Sequence, residues 1–174
     1  MAGEPEDLGS PRRPLMKLRE DGLASRNTSL GFLQRTLRNL GHIEAAHFRC
    51  DKVHVVTQTV LSLLGLVVFP WAAGVDAKVE ELDYRTLVEQ GWPAWRMSMG
   101  RADTLGELAR HVRNAIAHRR ISFSSDNLDT TDVEIMFEDA RKASASPYWR
   151  ATIRADALRC FCVKFAELVD DTIG

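Results

Sequence analysis

The chain has 174 residues, of which 45% are hydrophobic and 27% charged, with a formal net charge of -1. That is the make-up of an ordinary soluble globular protein, long enough for one domain with a sizeable core. The balanced charge excludes a global basic field, so any contact with nucleic acid has to come from a local patch.

Taken in order, residues 1–22 mix Gly, Pro and charge and are expected to form a flexible tail, leaving 23–174 as a single helical domain. The opening carries Glu4, Glu6 and Asp7 with no apolar run behind them, unlike a secretory signal, so a cytoplasmic location is expected. Leu30, Leu33, Leu37 and Leu40 recur at helical spacing behind Thr28 or Ser29, and predict a first helix ending near Gly41. A second helix is expected from Asp51 through Val53, Val56, Val60, Leu63, Leu64 and Val67, stopping before Pro70. Its apolar run is well short of the ~20 residues that span a bilayer, which makes it a core element and predicts no membrane contact. Cys50, Cys160 and Cys162 have no zinc spacing and an odd number, and are expected to be reduced and mostly buried.

The pattern loosens from Trp71 to Arg101, with a short helix at Leu82–Gln90 and with Trp92 and Trp95 as anchors. Thr104-Leu105-Gly106-Glu107 reads as a capping box opening a third helix that ends near Arg119. Ile121–Phe123 and Val133–Phe137 alternate with period two and predict a hairpin, and Tyr148–Thr152 predicts a further strand. Leu158, Phe161, Cys162, Phe165, Leu168 and Val169 form one stripe of a last helix. The fold class expected is all-α: a four-helix, up-and-down-type bundle with a small β-hairpin appendage.

Chemistry concentrates in Arg113-Asn114-Ala115-Ile116-Ala117-His118. Within little more than one turn this string offers a fixed cation able to fork onto phosphate, an amide, and an imidazole of the type that both takes and gives protons near neutrality. Those are the groups needed to hold and cleave a phosphodiester without a metal. At about 100° per residue, Leu105, Leu108, Val112, Ala115 and Ile116 share one side, while Glu107, Arg110, His111, Asn114 and His118 share the other. Asn114 and His118 are neighbours at i, i+4, whereas Arg113 lies about 140° around from His118. The bare spacing is common, since Arg49 and His54 repeat it. The blander reading is that Arg113, Arg119 and Arg120 form a solvated basic helix end with His118 passive beside it.

Arg110-His111-Val112-Arg113-Asn114-Ala115-Ile116-Ala117-His118, followed by Ile121-Ser122-Phe123, resembles the signature segment of HEPN (higher eukaryotes and prokaryotes nucleotide-binding) proteins. In that family an Arg and an adjacent polar residue precede a His after a short spacer, which Arg113, Asn114 and His118 match. Val53-His54 through Thr57, and Ser62 to Pro70, are similar to the second helix of its plasmid- and defence-associated branch. The resemblance implies a two-fold homodimer through the motif helix and metal-independent RNA cleavage by the substrate's own 2'-hydroxyl, with no cofactor. Arg113, Asn114 and His118 would then be catalytic, and Arg110, His111, Arg119 and Arg120 would line the RNA approach. It also implies toxin or antiphage settings with an antitoxin or other regulatory protein as partner. The alternatives are a non-catalytic HEPN module that binds nucleotide, RNA or protein, and an unrelated helical interaction domain.

Overall fold

A computed structural model describes residues 28–63, 67, 77–126, 129–142 and 145–173. The expected tail, 1–22, and the end of the second apolar run before Pro70 lie outside them. The described elements are α1 (Thr28–Phe48), α2 (Val55–Leu63), α3 (Ala77–Glu80), α4 (Tyr84–Glu89), β1 (Arg96–Met99), α5 (Leu105–Ala117), β2 (Ile121–Phe123), β3 (Glu134–Asp139), β4 (Trp149–Arg154) and α6 (Ala155–Ile173).

The all-α expectation is overturned. Four strands form one antiparallel sheet in the order β1-β4-β3-β2, so the fold is mixed α/β. The hairpin read from the sequence is real, with Ile121 opposite Phe137 and Phe123 opposite Ile135. It is half of a larger sheet rather than an appendage. Alternation decides which face is buried: Ile135, Phe137 and Asp139 of β3 point inward, as do Trp149, Ala151 and Ile153 of β4. The opposite face carries ion pairs, Arg96 to Glu134 and Arg150 to Glu138.

Helix α5 lies against β3, and α6 contacts β4, α1 and α2. Leu105, Leu108, Val112 and Ala115 of α5 and Leu158, Phe161, Phe165 and Val169 of α6 are all essentially inaccessible to solvent. The two tryptophans anchor the connection as expected, each meeting Phe161 edge-on with ring centroids 5.6 Å apart. A bidentate ion pair from Arg159 to Glu44 ties α6 to α1.

Local signals set the helix ends. Thr104 caps α5 by accepting from the Glu107 amide, while the Glu107 carboxylate accepts from Asp103 N–H at 2.7 Å, one residue earlier than a standard capping box. Gly41 does not end α1. The helix runs seven residues further, to Phe48, and stops only where Cys50 adopts φ 62°. Gly100 has φ 71°, and a Cβ there would lie 2.8 Å from the Tyr148 carbonyl oxygen, so the β1 end can approach β4 only with glycine.

Candidate functional site

Helix α5 places the motif and β3 fixes it. Asn114 Nδ2 donates to Asp139 Oδ2 at 3.0 Å, joining the helix to the end of the strand. The Asn114 carboxamide oxygen accepts from Arg113 Nε and Nη2, at 3.3 and 3.0 Å. Tyr148 Oη donates to the same Asp139 oxygen at 2.6 Å, and His111 Nδ1 lies 2.8 Å from it.

Asp139 is only 2% exposed. Burial pushes its carboxyl up, but the bonds donated by Tyr148, His111 and Asn114 outweigh that and hold it below the usual carboxylate range. An ionised carboxylate only accepts, so Nδ1 of His111 carries the hydrogen. Burial also lowers the His111 pKa, against the opposing pull of Asp139, which keeps the ring neutral. Burial, with the bond to Asp139, raises the Tyr148 phenol.

The expected polar face of α5 does not all turn to solvent. His111 is 4% exposed and stacks on Trp149 with centroids 4.7 Å apart and an interplanar angle of 9°. It stands behind the surface that it was expected to line. Arg113 and Asn114 are half-buried, whereas Arg110, His118 and Arg119 are exposed. Arg120 donates to the carbonyl oxygens of Lys142 and Ala145, at 3.2 and 3.1 Å, and so braces the segment leading to β4.

The end of α5 closes in a hydrogen-bonded reversal. His118 is the C-cap, Arg119 N–H donates to Ile116 O, and Arg120 N–H donates to Ala115 O. This is the Schellman arrangement, in which the residue after the cap is left-handed and is most often glycine. Here that residue is Arg119, at φ 56°. His118 is thereby held at the exposed helix end, with Arg119 next to it. Its link to Asn114 is through the backbone alone, His118 N–H to Asn114 O at 3.0 Å. The i, i+4 pairing of their side chains that the spacing suggested gives way to the anchoring of Asn114 on Asp139.

Sequence reasoning missed Asp139, Tyr148 and Trp149. Asp139 had a readable signal, because it continues the parity of Val133, Ile135 and Phe137 and so places an acid at a core position. The second Arg-to-His copy differs in setting: Arg49 pairs with Asp51 at 3.1 Å, and His54 is exposed just before α2, where its carbonyl accepts from Gln58 N–H. Of the cysteines, Cys162 is buried, but Cys50 is exposed, contrary to the expectation of mostly buried thiols.

The sequence profile of the family described as HEPN pEK499 p136 matches residues 16–173. The chain belongs to the HEPN family. Membership carries a nucleotide- or RNA-related role. Neither the curated proteins nor the solved structures give a match to this chain. No described helix is long and apolar enough to cross a membrane.

Proposed function

We propose that this HEPN protein is an endoribonuclease that grips an RNA phosphate with Arg113 and moves protons with His118, needing no metal. The observation that carries the reading is the fixed pose of Arg113: Asn114, pinned on buried Asp139, takes two of its N–H groups and leaves the rest of the fork for an anion. His118 stands exposed at the end of the same helix, where a ribose can reach it.

The chemistry balances with groups supplied by RNA and protein alone. The imidazole of His118 takes the proton of the 2'-hydroxyl, the 2'-oxygen bonds to phosphorus, and the bond from phosphorus to the 5'-oxygen breaks. A second imidazole in its protonated form gives its proton to that 5'-oxygen. One ring cannot do both at once, which favours a homodimer through α5 in which the same histidine of a second copy completes the cleft. Arg113 offsets the charge that develops on the phosphoryl oxygens. Exposed Arg110 and Arg119 extend the positive edge along which the RNA backbone would run. The setting proposed is cytoplasmic, as a toxin or antiphage effector restrained by an antitoxin or other regulatory protein.

The test is the product ends. Incubation of RNA in chelator is expected to give 2',3'-cyclic phosphate and 5'-hydroxyl termini, and a strand with a single 2'-deoxy residue at the cut site is expected to resist. Binding of RNA with no cleavage would leave the non-catalytic HEPN module in its place. Cleavage of the deoxy strand would sink the mechanism.

A further inference from the structure

Asn114 stands between a group that only gives hydrogen bonds and a group that only takes them. A guanidinium has no acceptor, and an ionised carboxylate has no donor. A carboxamide carries both functions at one end, and its orientation here is forced. Turned over, its oxygen would face the Asp139 oxygen 3.0 Å away and its NH2 would face the donors of Arg113.

Asp139 itself has little freedom to turn. Its side chain is 2% exposed at the end of β3, and Tyr148, just before β4, and His111 of α5 hold the same oxygen, with His111 clamped against Trp149. Neighbouring side chains on a helix diverge by about 100°, so Arg113 would not otherwise lie across Asn114. Its Nε and Nη2 do so because the carboxamide oxygen is presented to them. We infer that Asp139 is a positioning residue for Arg113, acting through the carboxamide of Asn114, whose orientation it sets.

The inference rests on the reading of Arg113 as the phosphate ligand, and extends it to a strand residue outside the motif. It also gives a reason for an amide after the arginine. An aspartate at that position would set a second carboxylate against Asp139, and an alanine would leave both partners unmet.

The experiment measures Arg113 directly. In the full chain the Arg113 Nε–H is followed by nitrogen-edited NMR, and its exchange with water is expected to be at least about tenfold slower in wild type than in Asp139→Leu, which has no acceptor for Asn114, or in Asn114→Ala, the scale of one lost charge-assisted hydrogen bond. Asp139→Ser is the substitute if Asp139→Leu does not fold. An Arg113 Nε–H that stays protected in Asn114→Ala overturns the inference whatever the Asp139 variants do.

RNA cleavage supplies a second reading. Asp139→Leu and Asn114→Ala are each expected to lower kcat/KM by about tenfold, and the double variant to lose no more than either alone, because both cut one chain of contacts. Losses that multiply would mean that Asp139 acts on something other than Asn114, and would overturn the inference. A wild type that cleaves no RNA, with the exchange results as expected, removes the cleavage reading and keeps the positioning of Arg113. Cleavage by wild type with an unprotected Arg113 Nε–H does the reverse.

Discussion

His111 lies flat against Trp149, 4.7 Å between ring centroids and 9° from parallel, while its Nδ1 faces the buried carboxylate of Asp139. The ring is held neutral, its pKa lowered chiefly by burial in spite of Asp139. The sign of the pH effect follows. The unfolded chain takes up a proton near the ordinary histidine value of 6.5, and the folded chain only at lower pH, so stability is lost as pH falls through that window and levels off below the folded value. Asp139 adds a further loss at still lower pH, because its folded pKa is depressed: burial raises it, but donated bonds lower it more. Urea denaturation from about pH 7.5 to about pH 5 is expected to show this slope, and His111→Gln to flatten it over the upper part of the range. An unchanged slope in the variant would assign the acid sensitivity to other groups.

Arg119 occupies the left-handed position that closes α5, at φ 56°. Backbone strain there costs about 1–2 kcal/mol for a residue with a Cβ, and glycine gives back part of that in chain entropy. Arg119→Gly is expected to raise the unfolding free energy by about 0.5–1 kcal/mol in chemical denaturation. On the proposed function the same change weakens RNA binding, most clearly at low salt, since it removes an exposed cation. A variant that loses stability would show that the Arg119 side chain makes compensating contacts.

Phe161 is the node of the aromatic core. It is fully buried, and it meets Trp92 and Trp95 edge-on and Phe165 at a tilt. Phe161→Ala is expected to cost about 3–5 kcal/mol in chemical denaturation. The fluorescence of both tryptophans should change with it. A loss below about 1 kcal/mol would mean that the site collapses to fill the space, and that α6 is not held by this contact.

The thiols separate by burial. Cys50 is exposed, whereas burial pushes the pKa of Cys162 far above its ordinary value. Under native conditions an aromatic disulfide reagent is expected to titrate Cys50 fast and Cys162 only on unfolding. Cys160 is half-buried on α6, so fast modification that persists in the Cys50→Ser, Cys160→Ser double variant would contradict the packing around Cys162.

The helices and the hairpin were legible because each carries its own periodicity. The stripe of Leu158, Phe161, Phe165 and Val169 belongs to one segment and needs no partner to be read. The sheet was not. Strand β1 is an edge with Arg96, Ser98 and Met99 exposed, so no apolar alternation marks it, and Tyr148–Thr152 gave a strand without saying what it paired with. A four-helix bundle followed from counting helices whose apolar faces, in α5 above all, are spent partly on β3. At the candidate site, Arg113, Asn114 and His118 stood out through the full motif string and its resemblance to a family rather than by spacing, and the partner that holds Asn114 lies 25 positions away along the chain. His111 shows the same limit: a hydrophilic residue on the outer side of a helical wheel counts as exposed until a strand with a buried acid is set against it.

Cleavage of RNA in chelator by wild type, Arg113→Ala and His118→Ala, each shown to be folded by circular dichroism, tests the claim that the end of α5 grips and breaks a ribose-phosphate backbone. Wild type is expected to cut, and each variant to be at least about a hundredfold slower, the scale of a lost proton-transfer group or phosphate ligand. Cutting at the wild-type rate by both variants would contradict it and move the active groups elsewhere in the molecule.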